Sequence, residues 1–307
     1  MIVAAGLSPA WQQILLFDAF TPDAVNRARQ AQWCGSGKVL NVGIGLAHLS
    51  VPNLTISPLG GPARAAIEAE FRTLAAPLRT IGCEQPTRVC TTILNRAEGT
   101  TTELVENARP LAPVELAEFI GAFTAETARA RVAVLTGSLP AGTPSSLYRD
   151  LLRQTSALAV IDARGPELLA ALEVRPLVVK PNREELAQTV GHALQDDTAL
   201  HAAMHKLNSL GAQWVVVTSG KAAVWVSTTD KLYRLLPPAV EAVANPIGCG
   251  DALTTGLAAA LAREESVIDA IRYGMASAAD RLRSLLPGRL DPIRIATIAK
   301  HIQAQEV

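Results

Sequence analysis

Beyond Pro113 the chain settles into one rhythm, and that rhythm limits its fold more than any other feature. Short apolar runs, Val132 to Thr136, Leu158 to Asp162, Leu177 to Lys180 and Trp214 to Thr218, alternate with stretches of helical periodicity. Leu177-Val178-Val179 and Val215-Val216-Val217 are apolar at every position, so both faces of each strand must be buried. Strands of that kind, joined by helices of about 10 to 15 residues, make a mostly parallel sheet covered on both sides, an α/β fold. The pattern predicts helices from Pro113 to about Arg129, from Pro144, in a short piece after Asp162, near Glu184 and from Thr198 to Leu210. Ala222 to Val226 and Leu232 to Leu235 read as antiparallel strands. Two helices, Asp251 to Arg263 and Ser266 to Leu285, are expected to close the chain.

The first third breaks the rhythm. Ile2 to Leu7, Gln13 to Phe17 and Asn53 to Leu59 read as strands, and Val39 to Leu49 and Pro62 to Ala76 as helices. A glycine-bearing turn is expected at Gly35-Ser36-Gly37. Thr87 to Leu94 and Thr101 to Val105 read as a hairpin about Ala97-Glu98-Gly99. These β-rich segments, near 11–36 and 86–106, are expected to form a small lid on one compact unit spanning 1–307. No internal repeat or long linker divides it.

Composition excludes several partners. Hydrophobic residues make up 49% and charged residues 18%, ample for a large core. The formal net charge is zero, which argues against nucleic acid and against a polybasic membrane contact. No run of about 18 apolar residues predicts a membrane span. The opening MIVAAGLSPAWQQ has no basic region followed by an apolar one, so it is not read as a signal peptide. The four cysteines, Cys34, Cys83, Cys90 and Cys249, include no CxxC pair, which fits a reduced cytoplasmic setting without zinc.

The chemistry is concentrated at predicted strand ends. Asn245-Pro246-Ile247-Gly248-Cys249-Gly250-Asp251 precedes a helix dense in alanine and leucine. Glycines let successive amides point at an anion, and the helix start adds free N–H groups and the positive end of a dipole. Asp251 can take a proton from an approaching hydroxyl. Donors for phosphate charge beside a base are what phosphoryl transfer to an alcohol needs. A plain glycine turn with Asp251 as a capping acid fits the same spacing.

Lys180-Pro181-Asn182-Arg183-Glu184-Glu185-Leu186 follows an apolar strand, at the edge where α/β sheets bind ligands. Its Asn182 and Glu185 also have the spacing of a helix cap. Thr136-Gly137-Ser138-Leu139-Pro140, Ile161-Asp162-Ala163-Arg164 and Thr218-Ser219-Gly220 occupy similar places. Gly35-Ser36-Gly37-Lys38-Val39-Leu40-Asn41 is not a Walker A loop, because position 32 is Gln and Val39 stands where Ser or Thr is required. No GxGxxG follows the first strand, which argues against a dinucleotide-binding dehydrogenase.

Taken in order, these segments resemble the motifs of the PfkB carbohydrate kinases, the ribokinase-like family. Ile247-Gly248-Cys249-Gly250-Asp251 is similar to the family's G-A-G-D signature. Lys180 to Leu186 resembles its K-P-N-x-x-E-L, Ser138-Leu139-Pro140 its S-L-P, and Gly37-Lys38 with Asn41 its substrate loop. Asn26-Arg27 and Thr87-Arg88 resemble the branch of 1-phosphofructokinase and tagatose-6-phosphate kinase.

The resemblance implies a three-layer ribokinase-like fold with a small β lid, and an enzyme that phosphorylates a sugar or sugar phosphate with ATP and Mg²⁺, most readily a phosphorylated ketohexose. It implies Asp251 as catalytic base and Gly248, Cys249 and Gly250 as the anion hole. It places Gln12, Gly37, Lys38, Asn41, Arg88 and Ser138 at the acceptor, with Lys38 and Arg88 on its phosphate. Lys180, Asn182, Glu185, Thr218 and Gly220 fall at the nucleotide, with Asn182 and Glu185 reaching Mg²⁺ through water. It also implies a homodimer through the lid, to which Trp11 and Trp33 are suited.

The departures lie on the acceptor side. Gln12 stands where the family has Asp, Cys90 and Thr92 where it has Asn and Lys, and Val39 where it has Gly. A β-branched residue resists a positive φ. These changes leave open a second reading, a non-catalytic nucleotide- or sugar-binding sensor. Cys249 likewise reads either as a small filler or as a reactive thiol.

Overall fold

The computed structural model describes residues 1–307. In chain order the first half comprises β1 (Ile2–Ala5), β2 (Ala10–Phe17), β3 (Gln30–Ser36), α1 (Lys38–His48), β4 (Asn53–Gly60), α2 (Gly61–Thr73), β5 (Leu78–Cys83), β6 (Arg88–Asn95), β7 (Thr100–Val105), α3 (Pro113–Thr127), β8 (Val132–Thr136) and α4 (Leu147–Leu152). There follow β9 (Leu158–Asp162), α5 (Gly165–Ala171), β10 (Val178–Val179), α6 (Arg183–Val190), α7 (Asp197–Leu210), β11 (Trp214–Val217), β12 (Val224–Ser227), β13 (Leu232–Leu235), α8 (Cys249–Ala262), α9 (Val267–Arg281), α10 (Pro292–Ala299) and β14 (Ala304–Glu306).

Ten strands form one sheet in the order β14-β13-β12-β11-β10-β9-β8-β1-β4-β5. From β11 to β5 all neighbours are parallel, and β12, β13 and β14 add antiparallel strands at one edge. Alternate residues of each central strand feed opposite faces. Val3, Ala133, Ile161 and Val215 join Phe119, Phe123, Leu151, Leu168 and Met204 on one side. Ile2, Val134, Val160 and Val216 join Leu46, Leu257, Ile271 and Ile295 on the other. The consecutive valines of β10 and β11 therefore bury both faces, as their pattern predicts. At about 1.5–3 kcal/mol for each large aliphatic buried, these layers hold the strand ends in fixed register.

The other four strands make a separate small sheet, β3-β2-β6-β7. Ile14, Leu16, Cys34 and Leu94 cover one face and meet Leu285 and Leu286 from the main body. Trp11 and Trp33 stack with ring centroids 5.8 Å apart. Trp33 is 45% exposed, whereas Trp11 is half-buried against the cluster formed by α1 and α2.

Three elements depart from the sequence reading. Gln30–Ser36 is a strand, and only Gly37, with φ 83°, makes the expected turn. Its alternating apolar residues, Ala31 and Trp33, are exposed, and the pattern breaks at Gly35, so no buried apolar face reveals it. Leu78–Cys83 is a strand beside β4, with only Ile81 buried. The chain does not close on two helices, because α10 and β14 follow. Asp291 caps α10 by accepting from the amides of Ile293 and Arg294, with Pro292 at the first helical position, a start signal present in the sequence.

Candidate active site

The loop before α8 is built by Asn245. This side chain is fully buried; its Oδ1 accepts from the Ile247 amide at 3.0 Å and its Nδ2 donates to the Leu285 carbonyl at 2.8 Å. Gly248 then takes φ 86°, a left-handed geometry that favours glycine, and serves as the cap of α8. The first-turn amides of Cys249, Gly250 and Asp251 thus point out of the helix without partners in it.

Asp251 lies in that first turn and is buried. Its Oδ2 accepts from Asn41 Nδ2 at 2.6 Å. Burial, and then the nearby Asp162 carboxylate, push the Asp251 carboxyl above its ordinary value, against the opposing pull of Lys38, Asn41 and Lys180. A carboxylate displaced in that direction is a stronger proton acceptor. Cys249 is less suited to chemistry, since burial pushes its thiol up to about 11.

Beneath Asp251 lies an ionic network. Asp162, at the carboxyl end of β9, is fully buried. Its Oδ1 meets Lys38 Nζ at 2.7 Å, and its Oδ2 meets Lys180 Nζ at 3.0 Å while accepting from Thr254 Oγ1 at 2.9 Å. Burial alone would raise this carboxyl, but the ammonium groups of Lys180 and Lys38 bring it down to about 2. Lys38 also reaches Glu185 Oε1 at 2.9 Å. Lys180 Nζ stands 3.5 Å from the place a Cβ on Gly250 would take, so its charge adjoins the anion loop.

Asn182 and Glu185 form a reciprocal cap at the start of α6. Asn182 Oδ1 accepts from the Glu185 amide at 2.8 Å, and Glu185 Oε2 accepts from the Asn182 amide at 2.9 Å. Thr218 pairs with Asn182 through a parallel bridge, and its carbonyl accepts from the Arg183 amide at 2.9 Å. Gly220, with φ 54°, is exposed, and a Cβ there would meet nothing within 4 Å. These four residues thus line the same sheet edge as Lys180.

The acceptor-side candidates are more dispersed. Gln12 is buried, and its Nε2 donates to Thr92 Oγ1 at 2.8 Å, so two of the departing positions satisfy each other. Cys90 is the β6 partner of Gln12 in register. Arg88 donates to the carbonyls of Ser8 and Glu106 at 3.0 Å each and of Pro9 at 3.2 Å, which ties the small sheet to the first loop. Ser138 is exposed, and its carbonyl accepts from Ser8 Oγ. Lys38 points to Asp162 and Glu185, in the cluster with Lys180. Val39 sits in the first turn of α1, fully buried, with no positive φ. The positive φ that a β-branched residue would resist falls instead at Gly37, whose φ is 83° and which takes it without a steric penalty.

Sequence reasoning named Asp162 only as a strand-end acid and gave it no role, and it overlooked Thr254 and Arg281. An acid closing a fully apolar parallel strand is the signal that marks Asp162. An Arg closing the Ala276-Ser277-Ala278-Ala279 stretch of α9 is the one that marks Arg281.

The chain is similar to known proteins along nearly all its length. Residues 12–286 match the pfkB family carbohydrate kinase description. The tagatose-6-phosphate kinase of Staphylococcus epidermidis is 29% identical over 100% of both chains. The 1-phosphofructokinase of Xanthomonas campestris pv. campestris is 32% identical over 94% of this chain and 93% of its own. The tetrameric inhibited form of phosphofructokinase-2 from Escherichia coli superposes with a TM-score of 0.87 at 22% identity, covering 98% of each chain.

Proposed function

The chain belongs to the pfkB family of carbohydrate kinases, and from that premise we propose that it transfers the γ-phosphoryl group of ATP to a hydroxyl of a phosphorylated ketohexose. Its relatives act on tagatose 6-phosphate or are 1-phosphofructokinases, which points to that substrate class. The observation that carries the reading is Asp251, a buried acid with a raised affinity for protons beside unpaired first-turn amides, held on one oxygen by Asn41.

In the transfer, Asp251 takes the proton of the acceptor hydroxyl through the oxygen Asn41 leaves free. The hydroxyl oxygen bonds to the γ-phosphorus as the bond to the β-phosphate oxygen breaks, and ADP leaves. Amides of Gly248, Cys249 and Gly250, with Lys180 behind Gly250, stabilise charge on the moving group. Gln12, Asn41 and Ser138 orient the acceptor, and Arg88, with two guanidinium hydrogens uncommitted, reaches its phosphate. The small sheet closes over the acceptor and excludes water.

The residues present suit Mg²⁺ held largely by phosphates and water. No group of three or more acids, His or Cys is gathered to hold an ion alone, and Mg²⁺ usually takes one or two carboxylates and keeps several waters. Asn182 and Glu185 would hold those waters. Bound there, Mg²⁺ neutralises phosphate charge. The outer face of the small sheet, with Trp33 and Leu104 exposed, is the proposed contact of a homodimer.

The reading is tested by incubating the protein with Mg·ATP and fructose 1-phosphate, fructose 6-phosphate or tagatose 6-phosphate, and following new bisphosphate by ³¹P NMR. One accepted ketohexose phosphate upholds it. Tight binding of ATP without turnover of any acceptor replaces it with the non-catalytic binder.

A further inference from the structure

Arg281 ends α9 with its side chain fully buried. Its Nη1 donates to the Ser284 carbonyl at 2.6 Å and, at 3.5 Å, to the carbonyl of Asn245. Nε and Nη2 have no hydrogen-bond partner. A guanidinium stays charged in proteins, and a buried charge without an ionic partner destabilises the fold that holds it. The carbonyl dipoles at the end of α9 offset only part of that cost.

The location of the unpaired nitrogens suggests what balances them. Nε stands 3.6 Å from the place a Cβ on Gly248 would take, and Asn41 Nδ2, which holds Asp251, stands at the same distance from that point. Arg281 therefore lies directly behind the loop whose amides face the phosphoryl group, and its bond to the Asn245 carbonyl reaches the start of that loop. No acid forms an ion pair with it. The charge of Asp251 acts on it only from farther off, and that carboxylate is hydrogen-bonded to Asn41 instead.

We infer that Arg281 is a positioning residue for phosphoryl transfer: it braces the Asn245–Gly248 loop from behind and supplies a fixed positive charge that is fully balanced only when an anionic phosphoryl group enters the loop. This rests on the kinase reading for the identity of the anion. It assigns the guanidinium a cost in the empty protein and a return in the loaded one, the pattern of a site that exchanges stability for function.

The test compares wild type, Arg281→Met and Arg281→Gln as intact proteins. Melting temperature is read alone, with Mg·ADP, and with Mg·ADP plus aluminium fluoride, which mimics the moving phosphoryl group. The wild type is expected to gain an added increment from fluoride, and both variants to lose it while melting no lower than wild type when empty. With an accepted ketohexose phosphate, kcat falls about 10²-fold and KM for ATP changes little. Should the Met variant not fold, the Gln variant, which retains a donor for Ser284, decides. The inference is overturned if the variants keep the fluoride increment, if the wild type shows none, or if neither variant folds, since Arg281 is then only a structural tie. A wild type that shows the increment but phosphorylates no sugar phosphate sinks the substrate assignment instead, and the increment still judges Arg281.

Discussion

Asn41 and Asp251 lie 210 positions apart and share a hydrogen bond of 2.6 Å between Nδ2 and Oδ2. The bond joins the first turn of α1 to the first turn of α8. It fixes which oxygen of Asp251 faces the cleft, and it favours the charged form of a carboxyl that burial pushes the other way. Removing it, as in Asn41→Ala, should therefore raise the Asp251 pKa further. The acid limb of the kcat–pH profile is expected to move to higher pH, with a loss of about 10- to 100-fold at neutral pH. An unmoved limb contradicts the coupling.

The same burial predicts that Asp251 costs stability. Its folded pKa lies above the unfolded value of 3.8, so its favourable contribution is complete below that value and lost as pH rises through the folded pKa. Asp251→Asn, which can still accept from Asn41, should raise the melting temperature at pH 7.5 relative to wild type, and raise it less at pH 4. A variant equally stabilised or destabilised at both pH values refutes this.

Asp162 has the opposite sign. Its carboxyl is brought down to about 2, so its stabilising effect is present at neutral pH and is lost only as pH falls from 3.8 toward that value. Asp162→Asn leaves the buried ammonium of Lys180 without its counter-ion. Urea denaturation at neutral pH should show a loss of about 3–5 kcal/mol. The further change Lys180→Met should recover part of it.

Gln12 and Thr92 form a neutral pair in a place where a family resemblance implies an acid and a cation. Gln12→Asp alone buries a carboxylate opposite a hydroxyl and is expected to destabilise the protein by about 1–3 kcal/mol. Adding Thr92→Lys should restore stability, with a coupling energy of at least about 1 kcal/mol in the double-mutant cycle. Additive effects would mean that the two positions are independent.

Much of this arrangement was legible in the sequence, for a physical reason. Parallel strands buried on both faces write themselves as unbroken apolar runs, so β8 and β9 match their expected limits. The glycine-and-acid loop before α8 and the cap of α6 are local in the chain, and local geometry follows local sequence. What escaped is non-local. Gln30–Ser36 is ordered by pairing with β2 rather than by its own residues. The convergence of Lys38 and Lys180 on Asp162 needs α1 to be carried to the ends of β9 and β10, and no spacing in the chain encodes it. The burial of Arg281 depends on the loops around Asn245 and Ser284 folding over it.

The central claim is that Asp251 is the base that takes the acceptor's proton. It is tested most directly by single-turnover transfer from Mg·ATP to the accepted ketohexose phosphate, with wild type and Asp251→Asn at saturating substrates. The account predicts that the variant binds both substrates as wild type does and transfers about 10²–10⁴-fold more slowly. A variant that transfers within a few-fold of wild type contradicts it.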